Sequence, residues 1–316
     1  MTPPLIVLGV SRSGTTLLRV ILDRSSGIAI PDESFFVPLL ARRHRKVIDA
    51  SEFLDDVARL PTVRDWGLTA ADVAPRLRSG MATGDAIGTV YEAYASKAGK
   101  PRWGDKTPMY MRHLALLARL FPEAQYVHLI RDGRDAALSF LEMPEGTFTR
   151  TWAHPTTPAQ FACLWRKEVE AARELGRKVG SERYLEVRYE ELVARPEPVT
   201  REICAFAGIP FESAMLDYTG AVDVSEKPHQ QRLLTPPTRG VRSWRDDMSS
   251  TDVANFEAVA GNLLRELGYG ADSAPTGQSV GAETRRAWYD LRLAAWNSAT
   301  SIVQRSPLWR RRHPRL

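Results

Sequence analysis

The sequence predicts an α/β fold in three layers, a mainly parallel central sheet flanked by helices. Three observations carry that expectation. Strand-like runs lie at 5–10, 124–130 and 184–188, the first two with the near-continuous apolar character of strands buried on both faces. Each run passes through a short polar or turn-forming stretch into a helical pattern. Strands separated by helices, with loops at the strand ends, assemble into a parallel sheet.

The elements follow in order. Leu5 to Val10 reads as the first buried strand and Thr15 to Arg24 as the helix after it. Ser34 to Leu40 and Glu52 to Leu60 have helical patterns, and 68–100 is rich in Ala, Arg and Gly, with polar joints at Ser79-Gly80 and Gly84-Asp85. A lead-in segment, Arg102 to Lys106, reaches Pro108 and an expected helix from Met109 to Phe121 that Pro122 ends. Ala124 to Ile130 is the second strand, followed by RDGRD and a helix from Ala136 to Leu141. A long helix is expected from Ala159 to Val179, a third strand from Tyr184 to Arg188, and helices from Pro198 to Ala207 and Thr251 to Leu267. Gly220 to Met248, dense in Pro, Gly and Arg, reads as a functional loop. The expected organisation is a main domain over 1–270, a linker over 271–282, and an amphipathic helix with a basic tail over 283–316.

Composition bounds the function classes. With 316 residues, 43% of them hydrophobic, the chain can bury a large core without disulfides. The formal charge of +5 favours anions in general but is too mild and evenly spread to specify nucleic acid. Cys163 and Cys204 lie in apolar helical patterns and read as core residues of a reducing compartment. No basic stretch followed by an apolar one opens the chain, and no apolar run has membrane-spanning length, so the cytoplasm is the expected location. The helix after the linker offers a contact for a homodimer or, with the Arg-rich tail, weak binding to a membrane surface. The six histidines lack metal-ligand spacing and the two cysteines are distant, so no metal site is expected.

The stretch VLGVSRSGTTLLR, from Val7 to Arg19, has the glycine spacing of a phosphate-binding loop, with Gly9 and Gly14 in place. Thr15 stands where the triphosphatase loop has lysine. Successive N–H groups over Ser11 to Thr16 and the positive end of the following helix suit a tetrahedral oxyanion. Arg12 adds a planar fork of donors, and Ser13, Thr15 and Thr16 add hydroxyls. The alternative is an ordinary strand–helix turn capped by its Ser and Thr residues. Without the lysine, and with Asp132 flanked by Arg131 and Arg134, ATP–magnesium chemistry is the weaker solution.

Arg131 ends the second strand, where parallel sheets carry ligands, and Ser139 lies two helical turns further on. Together they can hold a second phosphate. The competing roles are a salt bridge from Arg131 to Asp135 and a hydrogen bond from Ser139 to its own helix backbone. Glu33 can act as a base, whereas Asp32 fits a helix cap before Phe35-Phe36. Lys106, in GDKTP, can stabilise a leaving oxygen or pair with Asp105. His128 is expected to be a strand histidine with its ring satisfied by hydrogen bonds.

SRSGTTLL together with LIRDGRDAALS resembles the P-loop sulfotransferases, which use 3′-phosphoadenosine-5′-phosphosulfate (PAPS). PDESFF, GDKTP, VRYEELVARP and the late Trp-bearing loop look closest to the bacterial branch and the tyrosylprotein sulfotransferases, and the similarity spans Pro4 to Tyr269. The resemblance implies a P-loop-type sandwich with Arg12, Ser13, Gly14, Thr15 and Thr16 on the 5′-phosphosulfate, and Arg131 and Ser139 on the 3′-phosphate. It further implies Tyr189 near the nucleotide, Ser225 and Arg242 in a loop closing over it, Glu33 as the base, and Lys106 near the sulfuryl group and leaving oxygen. Arg12 would share in offsetting charge on the transferring group. The loop departs from the family's familiar forms: it lacks an Arg-Lys-Gly run, and Ser243 rather than lysine precedes Trp244. The implied activity is sulfuryl transfer to a hydroxyl of a small molecule, glycan, lipid or carrier-bound acceptor, with 39–100 lining the acceptor pocket and no metal taking part. A P-loop kinase and a nucleotide-binding module without catalysis are the alternatives.

Overall fold

The computed structural model describes residues 2–143, 154–217, 243–270 and 280–305. Four parallel strands form the sheet: β1 (Leu5–Leu8), β2 (Gly104–Asp105), β3 (Gln125–Ile130) and β4 (Tyr184–Arg188). Their order is β2-β1-β3-β4. The register pairs Leu5 with Gln125 and Leu8 with His128, and then Ile130 with Arg188. Strand β2 is the one that the sequence pattern does not reveal. Two residues at a sheet edge are too few for any periodicity to show.

The alternation of β1 explains the layers. Leu5 and Val7 join a cluster with Leu18, Ile21, Val199 and Ile203 on one face. Ile6 and Leu8 join the larger cluster on the other, with Val90, Leu117, Phe161, Trp165 and Phe256. Helices Thr15–Asp23 and Pro196–Ala207 therefore cover the first face. Helices Thr83–Lys97, Leu114–Leu120, Gly133–Leu141, Pro158–Val179 and Ser250–Glu266 cover the second. Helix-covered faces on both sides make this the three-layer α/β fold expected.

Local contacts reshape two of the expected helices. The pattern from Ser34 is not helical until Val37 (Val37–Arg43), because Ser34 is tied into a buried polar cluster and Phe35 takes a left-handed φ of 56°. The pattern from Met109 splits into a 3₁₀ turn, Pro108–Arg112, and the helix Leu114–Leu120, with His113 between them at φ −126° and ψ 22°, outside the helical region. Segment 39–100 is largely helical. Of the linker expected at 271–282, residues 271–279 lie outside the described residues and 280–282 already belong to the last helix, Val280–Arg305. That helix buries Tyr289 against the larger core and pairs Asp290 with Lys167 at 2.6 Å, while Trp288 and Leu291 remain exposed. Cys163 and Cys204 are buried free thiols. Among the described residues, no helix is long and apolar enough to cross a membrane.

The chain leaves β1 to form β2 on one side and crosses to β3 on the other, so the strand order reverses between β1 and β3. In open parallel sheets the crevice beyond the carboxyl ends of two such strands is where ligands bind. The loop from Gly9 to Gly14 follows β1, and Arg131 follows β3. The fold alone brings these two motifs together.

Candidate active site

The β1 loop is built by two left-handed residues, Arg12 at φ 73° and Gly14 at φ 88°, with a turn from the Ser13 N–H to the Val10 carbonyl at 3.1 Å. Such alternation aims successive N–H groups at one concavity. Gly14 also lies beneath Tyr189: a methyl group on it would stand 2.3 Å from the Tyr189 ring. At Gly9 a methyl group would meet the Thr15 methyl at 2.6 Å and the Leu129 carbonyl at 2.8 Å, so both glycines are required by close approach.

Arg131 lies over the Tyr189 ring, 4.8 Å from its centroid, and Nη1 donates to the Arg12 carbonyl at 3.1 Å. Arg12 Nε donates to Ser139 Oγ at 3.1 Å. The two groups of residues assigned from sequence to separate phosphates are thus joined directly through Arg12. Among the described residues, two buried polar atoms here have no protein partner, Ser13 Oγ and Arg131 Nε. Buried donors without partners are costly, and these two sit beside arginines and a concavity of N–H groups. That donor set fits a nucleotide carrying anionic groups at two positions.

On the other side of the loop, Lys106 Nζ donates to Thr16 Oγ1 at 3.2 Å and to Glu33 Oε1 at 2.5 Å. Lys106 is almost wholly buried, whereas the Glu33 side chain is 29% exposed. Burial lowers the Lys106 pKa, and the charge and hydrogen bond of Glu33 raise it again. The pair places a carboxylate at the solvent edge and a cation between it and the anion loop. Ser225 and Arg242 lie outside the described residues.

Several sequence expectations give way to other contacts. Lys106 pairs with Glu33 and not with Asp105. Asp32 does not cap a helix; it pairs with Arg19 Nη2 at 3.0 Å, and the next helix begins at Val37 without a side-chain cap. Asp135 accepts from the Trp244 amide at 2.8 Å, while Arg131 turns to the Arg12 carbonyl. Ser139 accepts from Arg12. The His128 ring is half satisfied: Nδ1 meets the Tyr184 hydroxyl at 2.6 Å, Nε2 has no partner, and burial pushes the pKa down to about 3. Arg134 does not face the anion site. It is fully buried, bonded to Asp132 and Glu257 at 2.8 and 2.7 Å, and stacked on Trp244 at 3.7 Å. Removing one member of a buried pair of this kind costs about 3–5 kcal/mol, so Arg134 serves the fold.

Sequence reasoning missed the buried cluster beneath Glu33. Asp105 Oδ2 accepts from Ser34 Oγ at 2.7 Å, the Tyr91 hydroxyl at 2.9 Å and Thr107 Oγ1 at 3.2 Å. The Tyr110 hydroxyl meets Ser34 Oγ at 2.7 Å and accepts from the Val37 N–H at 3.0 Å. Thr107 Oγ1 also accepts from the Ser34 N–H at 3.0 Å. Burial pushes the Asp105 pKa up to about 6 against the pull of these donors. Ser34 and Val37 are therefore fixed on either side of Phe35, which is held at φ 56° and is 47% exposed. A left-handed aromatic residue costs about 1–2 kcal/mol.

A model described as the sulfotransferase family matches residues 3–213, about two thirds of the chain. The chain belongs to the sulfotransferase family. The sulfotransferase is 26% identical over 286 residues to the protein-tyrosine sulfotransferase A of Caenorhabditis elegans, an alignment covering 87% of this chain and 69% of the relative. It is 28% identical over 334 residues to the nodulation protein NoeE of Sinorhizobium fredii, covering 92% of this chain and 74% of that one. In fold it is similar to the crystal structure of sulfotransferase STF9 from Mycobacterium avium, with a TM-score of 0.50 at 18% identity, over 84% of this chain and 77% of that chain. The sulfotransferase is accordingly an enzyme, and its β1 loop, Arg131 and the Lys106–Glu33 pair all lie inside the matched residues.

Proposed function

We propose that this sulfotransferase takes its sulfuryl group from PAPS and transfers it to a hydroxyl, leaving adenosine 3′,5′-bisphosphate. One observation carries the reading: the two donor-rich loops after β1 and β3 meet at the strand-order reversal, where Ser13 Oγ and Arg131 Nε are buried without a partner among the described residues. Arg12 to Thr16 would hold the 5′-phosphosulfate and Arg131 with Ser139 the 3′-phosphate, with the Tyr189 ring beside them. Ser225 and Arg242 would complete the closing loop.

When bound, PAPS supplies an activated sulfuryl group on a phosphate leaving group. The residues of the chain do the rest. Glu33, at the solvent edge, receives the proton of the acceptor hydroxyl on a carboxylate oxygen. Lys106, between Thr16 and Glu33, and Arg12 are fixed positive charges that offset charge developing on the transferring and leaving oxygens. Both are held before the substrates arrive, so positioning adds to the rate. A kinase reading is disfavoured by Asp132, whose two oxygens are taken by Arg134. The two buried free thiols support a reducing compartment, the cytoplasm.

The reading is tested by incubating the enzyme with sulfur-labelled PAPS and fractions of hydroxyl-bearing metabolites, with a chelator present. The expected result is label transferred to an acceptor without added magnesium. Turnover of ATP with magnesium and no transfer from PAPS would overturn it.

A further inference from the structure

Phe35 is two residues past Glu33, so their Cα atoms are at most about 7 Å apart. Among the described residues it is one of five large hydrophobic residues left exposed, as is Met109, three residues past Lys106. The two segments are stitched together by the bonds of Ser34 to Thr107 and Tyr110. Exposed apolar groups thus flank both members of the Glu33–Lys106 pair. The neighbouring Phe36 shows the contrast: it is buried against Trp66 and Tyr91, with ring centroids 5.5 and 5.4 Å away. The buried cluster anchors Ser34 and Val37 and thereby selects which ring goes into the core and which is held out, in a conformation that a phenylalanine rarely adopts.

We propose that Phe35 is a specificity-determining residue of the acceptor side, contacting an acceptor whose reacting hydroxyl is borne on an apolar surface. Backbone strain kept beside a reactive pair, at an aromatic residue left 47% exposed, points to a functional contact. A bound apolar surface would bury the ring and offset it. The proposal rests on Glu33 and Lys106 being the reacting pair.

The test uses two alcohols of similar ring size, cyclohexylmethanol and methyl β-glucoside, titrated against the full chain by NMR with and without adenosine 3′,5′-bisphosphate. Cyclohexylmethanol is expected to bind at least about tenfold more tightly than the glucoside. Phe35→Ala, which keeps the backbone constraint, is expected to weaken it about fivefold or more, as loss of one buried aromatic contact would. Bisphosphate affinity should stay within twofold. Phe35→Gly should weaken it equally, with a Tm no lower than that of the natural enzyme, because glycine relieves the left-handed strain. Equal affinity for the two alcohols, unchanged affinity in Phe35→Ala, or a lower Tm in Phe35→Gly would each overturn the proposal. Failure of the bisphosphate to bind would strike the donor assignment instead, and the titration without it would still decide the role of Phe35.

Discussion

Replacement of Glu33 by glutamine is expected to lower kcat by about 10²–10⁴-fold, the usual contribution of a general base. The amide still offers an oxygen to Lys106 Nζ, which lies 2.5 Å from Glu33 Oε1 in the natural enzyme. Local geometry is therefore largely retained while the capacity to take a proton is lost. Because Glu33 lies across Lys106 from the β1 loop, affinity for adenosine 3′,5′-bisphosphate should change by less than about threefold, or ~0.6 kcal/mol. Steady-state rates with a sulfate acceptor and a binding titration check the two quantities separately. Equal losses in turnover and in bisphosphate affinity would remove Glu33 as the base and leave it a structural partner of Lys106.

The second large effect concerns stability. Asp105 is fully buried and its pKa is raised from 3.8 to about 6. A carboxylate with a raised folded pKa contributes stability that is fully present below its unfolded pKa and is lost as pH rises through the folded one. At roughly 1.4 kcal/mol per unit, the full swing is about 3 kcal/mol, of which about 2.4 kcal/mol falls between pH 4 and pH 7. Asp105→Asn cannot titrate, and its carbonyl can still accept from Ser34, Tyr91 and Thr107. The stability of the natural enzyme relative to Asp105→Asn should therefore fall by about that amount over this pH range, as read by denaturant unfolding at a series of pH values. A constant difference, or one that grows with pH, would show that burial does not raise the Asp105 pKa in the folded enzyme.

The sequence made the β1 loop legible because its information is local. A buried strand, two glycines and a helix within twenty residues can form little else. Arg131 was legible for the same reason, at the end of β3. The Lys106–Glu33 pair was only half legible, since each residue could be named while the contact between them depends on β2 lying beside β1. The Asp105 cluster was not legible at all. Its members come from the 31–36 segment, helix Thr83–Lys97, β2 and the 3₁₀ turn at Pro108–Arg112, and no spacing in one chain announces that four such segments meet. The structural role of Arg134 was not legible for a related reason: the Glu257 carboxylate that holds it is 123 residues away.

The central claim is that the loops after β1 and β3 together read two phosphates on one nucleotide. Calorimetric titration of adenosine 3′,5′-bisphosphate against adenosine 5′-monophosphate tests it most directly. A charge-assisted contact contributes about 1.5–3 kcal/mol, so the bisphosphate should bind at least about tenfold more tightly, and Arg131→Ala should remove most of that difference. Equal affinities in the natural enzyme, or a preference that survives Arg131→Ala intact, would contradict it.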